Sequence, residues 1–206
     1  MKRCETNTQV KDSINKWQKF DGRSKTSYLD WYFCDRNSND FAVRDVSIQE
    51  KLEPHYEDYT FNVCRSCNQP LLKAALSRKE KYIFFFTKYT GVLKEYKGEY
   101  FITGYYKISA VTTISYEKRK FRQAVKANES KFVKISDAFN LRQIVGTRIY
   151  NSRRVLKRLD EDKTNLILRY FKDKKNRIDD YIRETKLLTE KRNDRFNNSN
   201  NLIQLN

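Results

Sequence analysis

The sequence has little glycine, proline and histidine, and each shortage excludes a class of protein. Five glycines and two prolines in 206 residues exclude collagen-like and low-complexity chains. Neither G-x-x-x-x-G-K-[ST] nor G-x-G-x-x-G occurs, so the chain lacks the known glycine-rich loops that hold nucleotide phosphates. The single histidine, His55, cannot build a histidine-rich metal site or an HNH-type nuclease centre. We interpret it as a surface residue in an acidic stretch.

Long apolar runs are also missing. No run approaches the roughly 18 residues that a membrane-spanning helix needs. Residues 1–7 lack the apolar core of a signal peptide, so we expect a soluble cytoplasmic protein without a membrane partner. Aromatic residues make up 14% of the chain, which indicates that most of it folds, because disordered chains are poor in aromatic residues.

The positive charge is concentrated in one part of the chain. Lysine and arginine total 43 against 26 acidic residues, which gives a net charge of +17. Residues 1–70 hold 11 basic and 11 acidic residues, so residues 71–206 carry the whole excess. Such a one-sided excess favours a polyanionic partner, and we predict DNA or RNA. The alternative is a general preference for lysine in the proteome that contains the chain.

Residues 81–116 predict the core strands of a sheet. Residues 82–87 are apolar on both faces, which is typical of a central strand. Residues 100–108 continue as a long strand with a partial two-residue alternation, as in a half-buried antiparallel strand. Gly104 interrupts this strand and indicates a bulge or a close approach of two backbones.

After residue 135 the pattern becomes helical. One apolar stripe at helical spacing precedes a break at 174–176, and a second follows it, so we predict a helical hairpin packed on the sheet. The first stripe comprises Val155, Leu159, Leu166, Ile167, Tyr170 and Phe171, and the second comprises Ile178, Tyr181, Ile182, Thr185 and Leu188. We divide the chain into a sheet domain (1–135), a basic helical segment (136–192) and a disordered tail (193–206).

Two clusters of basic residues flank the aromatic sheet, and we predict that they contact phosphates. The first cluster lies at 117–122, where we expect a basic turn or short helix. The second comprises Arg153, Arg154, Lys157 and Arg158, which should share one face of a helix. A solvated surface is the alternative for any single residue. The predicted phosphate contacts are Lys88, Lys118, Arg119, Lys120, Arg122, Arg148, Arg153, Arg154, Lys157 and Arg158.

Aromatic rings beside basic residues suggest base stacking, which is worth about 1–3 kcal/mol for each base. Most of these rings must pack in the core. The candidates for stacking are Trp31, Tyr89 and Tyr105.

The central segment resembles the hairpin of PUA-like domains, the superfamily that includes EVE, YTH and ASCH domains. The resemblance rests on YIFFFT at 82–87, on the loop between Gly91 and Gly98, and on YFITGYYKI at 100–108. It implies a curved sheet or small barrel that binds RNA or DNA and often holds a modified base in an aromatic pocket. In this chain that pocket would be lined by Trp31, Tyr89 and either Tyr105 or Tyr106.

The cysteines allow a structural zinc site. Cys64 and Cys67 have the C-x-x-C spacing that lets two thiolates bind one zinc ion. Cys34 and Cys4 would complete four ligands, with His55 as a substitute. Free thiols, or an occasional disulfide in a thermophile, are the alternatives because no second C-x-x-C pair exists. We expect no other cofactor.

An acidic pattern keeps a nuclease open as an alternative. Glu95-Tyr96-Lys97 has the E-x-K spacing of many restriction nucleases, but it lies in a predicted loop without a clear upstream acid. Our prediction is therefore an α+β protein, with a mainly antiparallel curved sheet or small barrel and a C-terminal helical hairpin. It would bind nucleic acid, and a modified or flipped base in particular, without catalysis. A nuclease or nucleic-acid-modifying enzyme and a protein-interaction module are the alternatives.

Overall fold

The chain folds as a curled mixed sheet, shaped as a half-barrel, with helices packed against it. This confirms the α+β class with a curved sheet. The computed structural model describes residues 27–47, 54–62, 81–116, 119–145 and 157–203.

The sheet has seven strands in the described part of the chain. They are β1 (Ser27–Trp31), β2 (Thr60–Asn62), β3 (Tyr82–Lys88), β4 (Tyr100–Tyr116), β5 (Arg119–Phe132), β6 (Phe139–Asn140) and β7 (Lys157–Leu159). Their order is β2-β5-β4-β3-β1-β7, and β6 pairs with β4 beside this path. β1 and β3 run parallel, whereas the other pairs are antiparallel, so the sheet is mixed.

β3 is the central strand that its sequence predicts. Six of its seven residues are buried, and only Lys88 is exposed. Since consecutive side chains of a strand point to opposite faces, Ile83 and Phe85 pack into one core layer, whereas Phe84 and Phe86 pack into another. β3 therefore supplies apolar side chains to both faces of the sheet.

Three helices complete the described residues. α1 (Arg142–Val145) is short, α2 (Glu161–Phe171) has three turns, and α3 (Ile178–Ile203) is long. Asp160 begins α2, because its carboxylate accepts a hydrogen bond from the Lys163 backbone N–H at 2.8 Å. None of the helices in these ranges is long and apolar enough to span a membrane.

The two longer helices pack on opposite faces of the sheet. Ile167 and Phe171 of α2 belong to the core layer of Phe84, whereas Ile178 and Tyr181 of α3 belong to the layer of Phe85. The prediction of a helical hairpin packed on the sheet as one unit is therefore wrong. The break at 174–176 is confirmed, and the chain uses it to pass from one face of the sheet to the other.

Two segments predicted as helix or turn form strands. Leu159 was assigned to a helical stripe, but it lies in β7 beside β1 and is buried in the core layer of α2. The segment from 119 to 122 belongs to β5 and not to a short helix, because it pairs with the end of β4. Long-range pairing outweighs local helical spacing at both places.

The two segments predicted after residue 135 differ from the structure in their content. β6 and β7 lie within 136–192, so this segment contributes strands to the sheet and is not purely helical. α3 continues through residue 193, where a disordered tail was predicted, and ends at Ile203. The division of the chain into domains stays a prediction.

The acidic stretch around His55 is less exposed than predicted. Tyr56 is fully buried, and His55 is partly buried and forms a backbone bridge with Thr60. Burial and then the charge of Arg44 lower the pKa of His55, whereas Asp58 and Glu57 act in the opposite direction. The folded state therefore favours the neutral imidazole.

This pKa shift predicts that stability falls in mild acid. An unfolded histidine titrates near pH 6.5, so below about that pH the unfolded chain binds a proton that the folded chain resists. Above it, His55 adds no pH dependence. We expect the urea midpoint to fall between pH 7.5 and 5.5, approximate values on either side of the unfolded pKa, and to fall less in His55→Gln. An equal loss in both chains would contradict this role.

Candidate nucleic-acid interface

The four rings predicted to form a base pocket do not share one. Tyr89 is fully buried, Tyr106 is 1% exposed and Tyr105 is 6% exposed. Tyr105 and Tyr106 also belong to different core layers, on opposite faces of the sheet. The pocket prediction is therefore wrong, because these rings supply the apolar area that holds the sheet to its helices.

The hydroxyl groups of the three tyrosines are also used inside the protein. Tyr89 Oη donates to the Asn39 carbonyl oxygen at 2.7 Å, and burial raises its pKa to about 12. Tyr106 Oη donates to the His55 carbonyl oxygen at 2.7 Å, and Tyr105 Oη donates to Glu129 at 2.8 Å. They hold loops and strands together.

Trp31 and Lys88 do meet at one surface, around Tyr100. The ring centroid of Trp31 lies 5.7 Å from that of Tyr100, and Lys88 Nζ lies 5.9 Å from the Tyr100 centroid. Trp31 and Tyr100 are partly exposed, and Lys88 is exposed. A ring beside an ammonium group suits a stacked base, so stacking at Trp31 stays a prediction.

β4 and β5 together form a two-stranded ribbon that continues past the rest of the sheet. β3 pairs with β4 only as far as Lys107, and β2 pairs with β5 only from Ala124 to Lys126. Residues 113–116 and 119–123 pair with each other and with no other described strand. We call these residues the ribbon end. Three of its positions are basic in sequence, namely Arg119, Lys120 and Arg122.

A bulge in β5 changes which residues share a face. Ala127 belongs to the core layer of α3, whereas Glu129 receives a hydrogen bond from Tyr105, which belongs to the layer of α2. The pairing register shifts between these positions. Lys126 and Lys131 are five residues apart and would lie on opposite faces of a regular strand, but the shift brings them to the same face.

The link between α2 and α3 crosses the edge of β5 at its other end. The backbone N–H of Arg177 donates to the Phe132 carbonyl oxygen at 2.7 Å. Asn176 accepts from the Phe132 N–H at 3.0 Å and donates to the Ser130 carbonyl oxygen at 2.8 Å. These bonds attach the link to the edge of β5 and fix the position of Asn176 and Arg177.

Several basic side chains lie where the link crosses β5, and we call this group the basic corner. Lys131 Nζ donates to the Lys172 carbonyl oxygen at 2.8 Å, so β5 and the link meet there. Lys172 and Lys175 are exposed, and neither ammonium group forms an ion pair with a described residue. The basic corner consists of Lys131, Lys172, Lys174, Lys175 and Arg177.

Charge at the basic corner is only partly neutralised. Lys174 Nζ lies 3.2 Å from Asp137, and Arg177 lies 3.6 Å from Asp180. Both pairs are partly exposed, and ion pairs near the surface contribute roughly 0–1 kcal/mol, so a phosphate could replace the carboxylates at little cost. Lys172 and Lys175 are free to bind an anion without breaking any described pair.

A neighbouring polar cleft of about 330 Å³ is different, because its charges are balanced internally. Lys134 lies 3.0 Å from Asp40, and Arg183 lies 2.6 Å from Asp180. A phosphate in this cleft would face carboxylates as well as cations. The basic corner also has carboxylates nearby, on Asp137, Asp173 and Asp180, but Lys172 and Lys175 form no ion pair with a described residue. The basic corner is therefore the better anion site.

Several predicted phosphate contacts lie outside the described residues. These are Lys118, Arg148, Arg153 and Arg154. Lys157 and Arg158 lie in β7, so the predicted basic face of a helix at these positions is wrong. The basic corner was missed in sequence, because the run KDKKNR at 172–177 indicated only a break between helices.

The zinc and nuclease hypotheses find no assembled site. Of the four cysteines only Cys34 is described; it is buried, and burial raises the pKa of its thiol. No three His, Cys, Asp or Glu side chains of the described ranges cluster as metal ligands. Cys4, Cys64 and Cys67 lie outside those ranges, so the zinc site stays a prediction.

The E-x-K motif lies on a surface turn. Glu95 is exposed in the 3-10 turn Lys94–Tyr96. The nearby Glu99 is held in an ion pair with Arg142 at 3.0 Å.

Comparison with protein-family models, with curated proteins and with solved structures gave no match for this chain.

Proposed function

We propose that this protein binds nucleic acid through a strip of basic residues along β5. The strip consists of the ribbon end, the exposed Lys126 and the basic corner. The basic corner carries the proposal, because it gathers lysines from β5 and from the α2–α3 link at one place, and the exposed Lys172 and Lys175 form no ion pair with any residue that the structure describes. Lysines in this arrangement bind a phosphate backbone and release its condensed counterions.

The strip favours phosphate contacts over base recognition. Lysine is a strongly hydrated point charge, which suits phosphates of any sequence. The rings of β3 and β4 next to the strip pack in the core, so they support the strip without stacking on bases. The Trp31–Tyr100 patch with Lys88 would add a stacking contact for an unpaired end.

The resemblance of residues 81–116 to PUA-like domains also favours a nucleic-acid ligand. Membership of that superfamily stays a prediction. A nuclease and a protein-interaction module remain the alternatives. They differ from the proposal in their dependence on a divalent metal and on salt, respectively.

The proposal predicts binding that falls steeply with salt and does not need Mg²⁺. Fluorescence anisotropy with labelled DNA and RNA, at several salt concentrations and with EDTA or Mg²⁺, measures this directly. Lys172→Ala with Lys175→Ala should weaken binding to all sequences alike and reduce the slope of log affinity against log salt by about 2.

The matched control removes the same charge elsewhere. Lys186 and Lys191 are exposed on α3, and Lys186→Ala with Lys191→Ala should leave affinity and slope nearly unchanged. If both double variants lose the same affinity, the basic corner is not a specific contact. If the unmodified chain does not bind at low salt, the proposal fails and the protein-interaction alternative gains. Cleavage that EDTA abolishes would favour the nuclease.

A further inference from the structure

We infer that the ligand is double-stranded DNA, and that the two ends of the β5 strip contact it about one helical turn apart. The inference rests on the proposed function and names its substrate class. It depends on the distance between the ribbon end and the basic corner. It does not depend on any particular base.

β5 sets that distance. Arg122 and Lys120 lie in the ribbon end, and Lys131 lies where β5 meets the basic corner. At about 3.3 Å for each residue, Lys131 lies about 30 Å from Arg122 and about 36 Å from Lys120 along the strand. The strand is paired with β4 over this length, so its two ends do not move independently. Its register shifts at three places and the sheet curls, so these path lengths are upper limits for the straight distance between the ends.

One turn of B-form DNA has a similar length, about 34–36 Å. Equivalent phosphates return to the same side of the duplex after each turn. A paired strip with basic residues at both ends can therefore meet two equivalent backbone positions on one side of the DNA. A sheet ribbon is also narrow enough to follow or enter the major groove.

The charge in the middle of the strip is also compatible with contact to DNA phosphates. Lys126 is exposed there and adds one positive charge. Glu129 is the only acidic residue of β5, and its carboxylate accepts a hydrogen bond from Tyr105 and lies 3.9 Å from Lys107 Nζ. Its charge is thus partly offset within the protein.

A single strand fits the strip less well. Proteins that hold single strands stack bases on exposed rings along a basic groove. Beside the strip, Tyr105, Tyr106 and Phe132 are all less than 9% exposed, so these rings present no stacking surface. A flexible single strand would also gain affinity gradually with length, without a threshold at one turn.

The test is affinity as a function of duplex length. The probes are labelled DNA duplexes closed by a hairpin loop, from about 6 to about 16 base pairs, which bracket one turn. We expect affinity to rise about tenfold or more as the duplex passes one turn, because the second contact becomes intramolecular. Single-stranded DNA of the same length and an RNA duplex are the comparison probes.

A longer duplex also offers more binding sites, which by itself raises the apparent affinity. Two double variants distinguish that effect from the rise caused by a second contact. Lys120→Ala with Arg122→Ala removes charge from the ribbon end, and Lys172→Ala with Lys175→Ala removes it from the basic corner. Each should abolish the threshold and leave only a gradual rise. Lys186→Ala with Lys191→Ala should keep the threshold.

Hydroxyl-radical footprinting of the unmodified chain on a long duplex provides a measurement without substitutions. We expect two protected regions about one turn apart. Binding without a length threshold, a single protected region, or equal affinity for single strands would overturn the inference while leaving the proposed function intact. A threshold with RNA duplexes alone would overturn the assignment to DNA. Absence of all binding would overturn both.

Discussion

Gly104→Ala should destabilise the fold by about 3 kcal/mol, at the upper end of the cost of overpacking a core. A Cβ atom at this position would lie 2.4 Å from the Lys131 carbonyl oxygen and 2.5 Å from the Phe132 ring. Since the first of these is a backbone atom in the paired strand, no side-chain rotation can relieve the contact. β4 and β5 would have to separate where the basic corner begins.

Urea unfolding measures the effect. The control is Ser109→Ala, because Ser109 is exposed on the same strand and its hydroxyl donates a hydrogen bond to the Lys126 carbonyl oxygen at 3.0 Å. We expect that change to cost about 0.5–1 kcal/mol. A Gly104→Ala chain as stable as the control would show that β4 and β5 are farther apart than the structure places them.

Phe132→Ala should cost about 3–5 kcal/mol, as for other fully buried aromatic side chains. The Phe132 ring is completely buried and contacts the rings of Phe85, Tyr106, Tyr56 and Tyr181. It therefore joins β3, β4, the loop before β2, and α3. Removing it leaves a cavity that rigid aromatic neighbours cannot fill.

Two controls separate this effect from a general loss of apolar area. Leu166 is 47% exposed on α2, so Leu166→Ala should change the free energy of unfolding by less than about 0.5 kcal/mol. Phe132→Leu should cost less than Phe132→Ala and should retain binding, because the Phe132 backbone that holds Asn176 and Arg177 is unchanged. If Phe132→Ala were as mild as Leu166→Ala, Phe132 would not join these elements.

Phe132 and Gly104 also connect stability with the proposed interface. The Phe132 side chain packs in the core, while its N–H and carbonyl groups hold the link between α2 and α3. The link that carries the lysines of the basic corner is thus positioned by a residue whose side chain is fully buried. Variants at these positions should be tested for binding only under conditions where they remain folded.

The central strands could be predicted from sequence because their pattern is local. An apolar run such as residues 82–87 is costly to expose in any arrangement, so it becomes a buried strand in almost any sheet. Gly104 was likewise informative, since a glycine inside a strand marks a bulge or a close contact. The register shift beside it and its contact with β5 confirm that prediction.

The candidate site was less predictable, because exposure depends on the whole fold. Tyr89, Tyr105 and Tyr106 stand beside lysines in sequence, as stacking residues do, yet helices and loops cover all three. Leu159 has helical spacing with the apolar residues that follow it, but its segment pairs with an edge of β1 and forms a strand. Neither the helices and loops that cover the tyrosines nor the edge of β1 can be seen in a local sequence pattern.

The sequence by itself determined the charge, the aromatic core strands and the break before α3, since each depends on composition or on neighbouring residues. Only the tertiary structure decided that α2 and α3 lie on opposite faces and that a bulge brings Lys126 and Lys131 to one side. It also decided that residues 172–177 meet Lys131. These features arise from contacts between residues far apart in the chain, and such contacts form wherever burial and hydrogen bonding are best satisfied together.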